Sequence, residues 1–139
     1  MDIYPVAGFV NDRLTDAETA AHAAGDAPWQ TIVWPGGTQI LISAAAIRDN
    51  KWKYGQTIHH IGMIDHQEYA DHMVRHSPAQ VLAQVAAQRL IVSNMCSLHA
   101  AAWQYADARL AIEHLTLTTV RRMAQLDADH TDYRPEWAL

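Results

Sequence analysis

The sequence predicts an α+β fold that is mostly helical: an N-terminal helix, a small antiparallel β-meander, a short helix and a long C-terminal helical hairpin. No glycine or proline interrupts the chain between Pro78 and Pro135. This favours long helices, because these two residues weaken a helix most. Earlier, two β-branched apolar runs flank Pro35-Gly36-Gly37, a pattern typical of a β-hairpin. The 139 residues, half of them apolar, are expected to form a single domain, residues 1–139.

The first helix is predicted over residues 6–24, where apolar residues recur at helical spacing. These residues are Val6, Phe9, Val10, Leu14 and either Ala17 or Ala21. Thr15 and Glu18 have the form of a capping box, but they lie inside this pattern and are assigned to solvated helix surface. Gly25 is a natural C-cap, and Pro28 prevents the helix from continuing.

The β-meander is predicted from residues 31–34, 38–42 and 56–63. In the third stretch Thr57, His59 and Ile61 share one face, and Gly62 is expected to weaken the end of the strand. Three short strands cannot bury a core alone, so we expect them to lie against helices.

A short helix is predicted over residues 65–75, with Asp65 as its N-cap. The best local signal follows it: Ser77 can cap the amide of Gln80, Pro78 suits the first helical position, and Gln80 can reach back. A long helix is therefore predicted to begin at Pro78. Its predicted apolar positions are Leu82, Val85, Val92, Cys96 and Trp103, widened by Leu90, Ile91, Met95 and Leu98.

A single helix over residues 78–126 would be unusually long for a globular domain. We therefore predict a break near residues 104–108, where Asp107 could cap a new helix, and an antiparallel helical hairpin. The buried side of the last helix is predicted as Leu110, Leu115, Leu117, Val120, Met123 and Leu126. Trp137 in the polar tail is expected to dock back on the body.

Three stretches resemble a family of small actinobacterial and actinophage proteins of unknown function. They are FVNDRL at residues 9–14, HMVRHSPAQVLAQV at residues 72–85 with AQRLIV at 87–92, and ADHTDYRPEW at residues 128–137. Together with further matches in the first helix they cover roughly half of the chain, and the ending is the most specific. The resemblance implies a phage or prophage origin and no particular mechanism. Members often carry a polar insert before the final helix, whereas residues 95–113 are helix-like here.

Histidine is the one compositional oddity, since nine are present and five lie between residues 59 and 76. These five, His59, His60, His66, His72 and His76, are candidate metal ligands. His72 and His76 are four apart on a predicted helix, a spacing that lets two imidazoles bind one ion such as zinc. Asp65 or Glu68 could add a carboxylate. The alternative is that they are surface or capping histidines, and Met73 replaces the glutamate that a zinc protease needs.

Cys96 and His99 lie three apart on the long helix and could form a thiolate–imidazole pair. The alternative, a small thiol on the core seam, is favoured because no third partner or oxyanion-hole element is visible.

Arg121 and Arg122 could contact phosphates. Arg109 lies on the same predicted helix, but its spacing from Glu113 suits an intrahelical ion pair. The two remaining arginines are too few for a basic groove.

Tryptophans are the other candidate interaction residues. Trp29, Trp34 and Trp52 cluster around the meander, and Trp103 lies on the long helix. They are core residues in the simplest interpretation, but aromatic side chains also anchor interfaces.

The sequence thus favours a small, non-enzymatic interaction or regulatory protein that binds a protein partner and forms a homodimer. One alternative is a metal-binding protein or metal-dependent hydrolase using the histidines; the other is a nucleic-acid-binding regulator, which the net charge of −5 disfavours. No other cofactor is expected. One cysteine, no secretory signal and no apolar run of membrane-spanning length favour a cytoplasmic protein.

Overall fold

The computed structural model describes residues 2–25, 27–33, 39–43, 60–64 and 66–139. It confirms a mostly helical α+β fold with the predicted order of elements. The helices and strands are α1 (Tyr4–Ala23), β1 (Trp29–Val33), β2 (Gln39–Ser43), β3 (His60–Ile64), α2 (Gln67–Arg75), α3 (Pro78–Ala101) and α4 (Arg109–Ala124). Short 3-10 turns follow at Ala102–Gln104, Gln125–Asp127 and Pro135–Trp137.

Helix α1 buries the face that its sequence predicts. Its buried residues include Val6, Phe9, Val10, Leu14 and Ala21. The hydroxyl of Thr15 donates to the carbonyl of Asn11 at 2.9 Å, so it lies on a continuing helix and not at a helix start. Gly25 has φ +87°, and its amide donates to the carbonyl of His22, which confirms the predicted C-cap.

The three strands form an antiparallel sheet in the order β1-β2-β3, as predicted. Trp29 pairs with Ser43 at the start of the hairpin, whereas the predicted turn at residues 35–37 lies outside the described residues. A bulge between β2 and β3 shifts the register after Leu41, and β3 continues past Gly62 to Ile64. Residues 56–59 are also outside the described part.

Helix α2 contacts all three strands, which confirms that the meander lies against a helix. Leu41 and Ile42 on the central strand and Ala70 on α2 are fully buried. Since Leu41 and Ile42 are neighbours on a strand, both faces of β2 are covered.

The predicted helix caps are wrong in three places. Helix α2 begins at Gln67 with His66 at the N-cap position, not at Asp65, which is outside the described residues. Helix α3 begins at Pro78 as predicted, but the buried hydroxyl of Ser77 has no hydrogen-bond partner among the described residues. Ala108, not Asp107, precedes α4, and no side chain caps that helix.

The predicted break in the second half of the chain is confirmed, because α3 ends at Ala101 and α4 begins at Arg109. The two helices run antiparallel. Nδ1 of His99, near the end of α3, lies 2.9 Å from the hydroxyl of Thr116 on α4. Gln88, which comes earlier on α3, lines a groove together with Leu126, which comes later in the chain than Thr116.

The predicted buried face of α4 is largely wrong. Leu110 is 80 % exposed, Leu115 is 58 % exposed and Leu126 is 75 % exposed. The residues that α4 buries are Thr116, Val120 and Ala124. These small side chains recur every fourth residue, so one narrow stripe faces inward. On α3, Val85 and Val92 are buried as predicted, whereas Leu90 and Ile91 are exposed, and so is Trp103 in the 3-10 turn that follows.

The chain divides into two compact units, one of residues 1–17 and 85–139 and the other of residues 18–84. Both boundaries fall inside helices, α1 and α3. The single domain expected from the sequence stays a prediction.

Candidate interaction surface

An apolar groove of about 330 Å³ lies between α3 and α4 within the unit of residues 1–17 and 85–139. It is lined by Gln88, Ile91, Thr119, Arg122, Met123 and Leu126. Met123 is half-buried, whereas Ile91 and Leu126 are exposed. Large apolar side chains that line a groove and stay in contact with water are typical of binding surfaces.

Leu115 does not line the groove but lies further along the same side of α4. Leu115 and Leu126 are eleven residues apart, so they lie within about 20° of each other around the helix. Thr119 and Arg122 fall between them at the three-and-four spacing of a helix–helix seam. We call Ile91, Leu115, Met123 and Leu126, with Thr119 and Arg122, the α3–α4 face.

Arg122 is the one charged residue among those that line the groove. Its neighbour Arg121 has a different role. Nε of Arg121 donates to the carbonyl of Trp137 at 2.9 Å, and Nη2 donates to the carbonyls of Glu136 and Ala138. The pair predicted to contact phosphates is therefore divided: Arg121 holds the C-terminal segment, and Arg122 remains on the groove.

The C-terminal segment docks on α1 through an aromatic cluster. Trp137 is buried, as predicted, with its ring centroid 5.2 Å from that of Phe9. Tyr133 and His130 approach the same phenylalanine edge-on at 5.9 Å. A shallow cleft of about 460 Å³ beside this cluster carries two arginines, Arg13 and Arg134, and the carboxylates of Asp12 and Asp132. Equal numbers of opposite charges give this cleft no clear preference for an anion or a cation.

Sequence reasoning missed Arg13. Its guanidinium lies 5.6 Å above the Phe9 ring, donates to Nε2 of His130, and pairs with Asp16 at 3.2 Å. The only sequence signal was that Arg13 and His130 both lie in stretches that resemble the family.

The candidate metal ligands are only partly brought together. His72 on α2 and His76 at the C-cap of this helix lie side by side, with ring centroids 4.3 Å apart. His66 instead packs edge-on against Tyr69 at 5.4 Å. His60 is on β3, where it pairs with Ile42, and His59 is outside the described residues. Within the described ranges, no group of three or more His, Cys, Asp and Glu could hold an ion, so the carboxylate proposed from Glu68 does not complete a site.

The predicted tryptophan surface is also described only in part. Trp29 is half-buried on β1 and Trp103 is 71 % exposed after α3, whereas Trp34 and Trp52 lie outside the described residues. Of the candidate interface tryptophans that the structure describes, Trp103 is therefore the more exposed.

Cys96 lacks the features of a nucleophile. Burial, and then the nearby carboxylate of Asp2, raise the pKa of its thiol, which disfavours the thiolate. Its proposed partner His99 is hydrogen-bonded to Thr116 instead.

One helix of the described chain, Pro78–Gln104, is long and apolar enough to cross a membrane by length and composition. Only 11 % of its most apolar window is buried within the structure. The guanidinium of Arg89, near its middle, donates to the hydroxyl of Thr15 at 3.0 Å. The expectation that no membrane is bound stays a prediction.

The fold and the exposed α3–α4 face define a small helical α+β protein with an uncovered apolar surface. Residues 5–139 match the model of DUF6221, a family of unknown function, and the protein belongs to that family. This confirms the resemblance to a family without an assigned activity. No curated protein and no solved structure matches the chain.

Proposed function

We propose that this protein is a small non-enzymatic interaction protein that binds another protein through the α3–α4 face, and that two copies associate there as a homodimer. The observation that carries the proposal is the exposure of large apolar side chains on both sides of one groove. Leu126 just after α4 and Ile91 on α3, which line the groove, are exposed, and so is Leu115 on α4.

Exposed leucines are individually ordinary, but several large apolar side chains exposed on one side of a helix pair are typical of a binding surface. Burying a leucine side chain stabilises a protein by about 1.5–3 kcal/mol, so several on one face favour association. A second copy is a suitable partner, because two-fold association brings the same apolar stripe to both sides of an interface. The one groove arginine, Arg122, lies between Leu115 and Leu126 on this face, and arginine is among the residues enriched at protein interfaces.

A nucleic-acid-binding function is less well supported. The chain has net charge −5, and Arg121 already donates its hydrogen bonds to backbone carbonyls. Retention on heparin that falls with salt would be the sign of this alternative.

A cysteine-dependent enzyme is also less well supported, because burial raises the pKa of the Cys96 thiol and disfavours the thiolate. A metal-dependent hydrolase would need further ligands beyond His72 and His76. We further propose a cytoplasmic accessory or regulatory role of phage or prophage origin, which the family resemblance supports.

The direct test is the mass of the purified protein measured by light scattering during size-exclusion chromatography. A monomer has a mass of 15.5 kDa, and we expect about twice this value at micromolar concentrations. Leu126→Asp places a charge on the α3–α4 face and is expected to weaken dimerisation at least tenfold. The reason is that an unpaired carboxylate is strongly disfavoured in an apolar interface.

Leu110→Asp is the matched control. Leu110 is an equally exposed leucine on α4, but it lies about 160° around the helix from Leu126. It is expected to leave the dimer intact. A wild-type protein that stays monomeric at high concentration removes the homodimer, and equal effects of the two variants remove the α3–α4 face as its location.

A further inference from the structure

We propose that His72 on α2 and His76 at the C-cap of this helix form a two-histidine chelate for a borderline divalent cation such as Zn²⁺, Ni²⁺ or Cu²⁺. The two imidazole centroids lie 4.3 Å apart, with the ring planes inclined by 48°. This site lies in the unit of residues 18–84, so it is separate from the α3–α4 face and does not depend on the proposed function.

The ring separation is close to what one ion requires. With zinc–nitrogen bonds of about 2.0–2.1 Å, two imidazoles on the same tetrahedral ion have centroids about 5 Å apart. The ring centroids of His72 and His76 therefore need to separate by less than ~1 Å to reach that spacing.

The backbone fixes the spacing of the two histidines without help from a ligand. The amide of His76 donates to the carbonyls of His72 and Met73 at 3.2 and 3.1 Å, which holds His76 at the C-cap of α2, where its own φ of −104° and ψ of 22° depart from the helix. Both side chains are exposed, so an ion can reach them from solvent. A chelate that forms on an existing helix needs little ordering of the chain.

The donor atoms determine which ions fit. Neutral imidazole nitrogens favour zinc, nickel and copper, whereas magnesium and calcium prefer oxygen ligands. Glu68 lies one turn before His72 on the same side of α2, and its negative charge favours a cation there, partly opposed by Arg75. Since no group of three protein ligands exists among the described residues, we assign the other coordination positions to water. The site is therefore an exchangeable binding site and not a structural metal centre.

The test is isothermal titration calorimetry of the full chain, without a histidine tag, with zinc chloride. The wild-type protein is expected to show one saturable site per chain. His72→Gln and His76→Gln each remove one of two nitrogens, and each is expected to weaken binding at least tenfold. Glutamine keeps a polar side chain and suits a helix at least as well as histidine does.

His114→Gln is the matched control. His114 is an exposed histidine on α4, and this variant keeps as many histidines as His72→Gln or His76→Gln does. It is expected to change zinc affinity less than twofold. Binding that does not saturate, or that falls equally in all three variants, would mean adventitious zinc on scattered histidines and would overturn the proposal.

A second measurement guards against misfolded variants. In the wild-type protein, the side-chain NMR signals of His72 and His76 are expected to shift together and reach completion at one equivalent of zinc, ahead of the other histidines. Zinc binding is expected to be unchanged in Leu126→Asp, which separates this site from dimerisation. Signals that respond in another pair of histidines would refute the assignment.

Discussion

Replacing Thr116 by valine would remove one hydroxyl from the interior of the α3–α4 pair while keeping nearly the same side-chain volume. Thr116 is fully buried. Its hydroxyl donates to the carbonyl of Ile112 at 2.8 Å, so its single proton is used within α4. Nδ1 of His99, 2.9 Å away, must then donate its N–H to the Thr116 oxygen. Valine leaves that N–H without its acceptor.

Two effects of the substitution oppose each other. A buried donor without a partner costs about 1–3 kcal/mol, and His99 is only half-buried, so the lower part of this range applies. Burying a methyl group in place of a hydroxyl recovers up to about 1 kcal/mol. We therefore expect Thr116→Val to lower the free energy of unfolding by about 1 kcal/mol.

Thr119→Val is the matched control on the same helix. The hydroxyl of Thr119 donates to the carbonyl of Leu115 at 2.8 Å, the same intrahelical bond, but it is exposed and has no hydrogen bond to α3 in the structure. Its substitution is expected to change stability by less than about 0.5 kcal/mol. Urea denaturation followed by far-UV circular dichroism measures both variants.

A double-mutant cycle that combines Thr116→Val with His99→Ala measures the interaction free energy between these two side chains. We expect a coupling of about 0.5–1.5 kcal/mol, so that Thr116→Val costs little once the imidazole is gone. Two results would refute the reasoning. One is a Thr116→Val protein as stable as Thr119→Val, and the other is an equal cost with and without His99.

Three further predictions concern the backbone, the C-terminal segment and the thiol. Gly25→Ala should destabilise the protein by about 1–2 kcal/mol, because Gly25 has φ +87°. Gly8→Ala should stabilise it by about 0.5–1 kcal/mol, because Gly8 lies in open space on helix α1. Thermal melts in which both variants shift the melting temperature in the same direction would contradict this. Arg121→Ala should cost about 1–3 kcal/mol and expose the C-terminal segment to limited proteolysis, whereas Arg122→Ala should do neither. Because its pKa is raised, Cys96 should react with iodoacetamide more slowly than free cysteine at pH 7–8 and faster as pH rises further; reaction as fast as free cysteine at pH 7 would contradict the burial argument.

Element types and their order could be predicted because they depend on local sequence. The glycine-free and proline-free stretch, the turn residues between strands and the apolar spacing of α1 are properties of neighbouring residues. Caps were less predictable. Ser77, Asp65 and Asp107 all have the right chemistry for an N-cap, but a cap also requires a specific side-chain rotamer and an amide left open by tertiary packing.

The buried face of α4 could not be chosen from the sequence. Apolar residues occur all round this helix, so its periodicity does not single out one side. Packing selected the stripe of Thr116, Val120 and Ala124, whose small side chains allow close approach. The larger Leu115 and Leu126 remain outside.

Contacts between residues far apart in the sequence were the part of the site that could not be predicted. Arg13 and His130 are 117 positions apart, and nothing in the spacing of either links the two. The resemblance identified both stretches, residues 9–14 and 128–137, without indicating that they touch. Their contact through Phe9 and Trp137 gives these two stretches a common structural role: they hold the C-terminal segment on α1.

That role explains why consecutive arginines have different functions. Arg121 and Arg122 point about 100° apart around α4. Arg121 faces the C-terminal segment and donates to the carbonyls of residues 136–138, so that segment is held on one side of the helix. Arg122 faces the groove with Leu126, on a side where no described residue covers the leucines. The C-terminal segment is thus held away from the α3–α4 face, which supports our proposal that a second molecule covers this face.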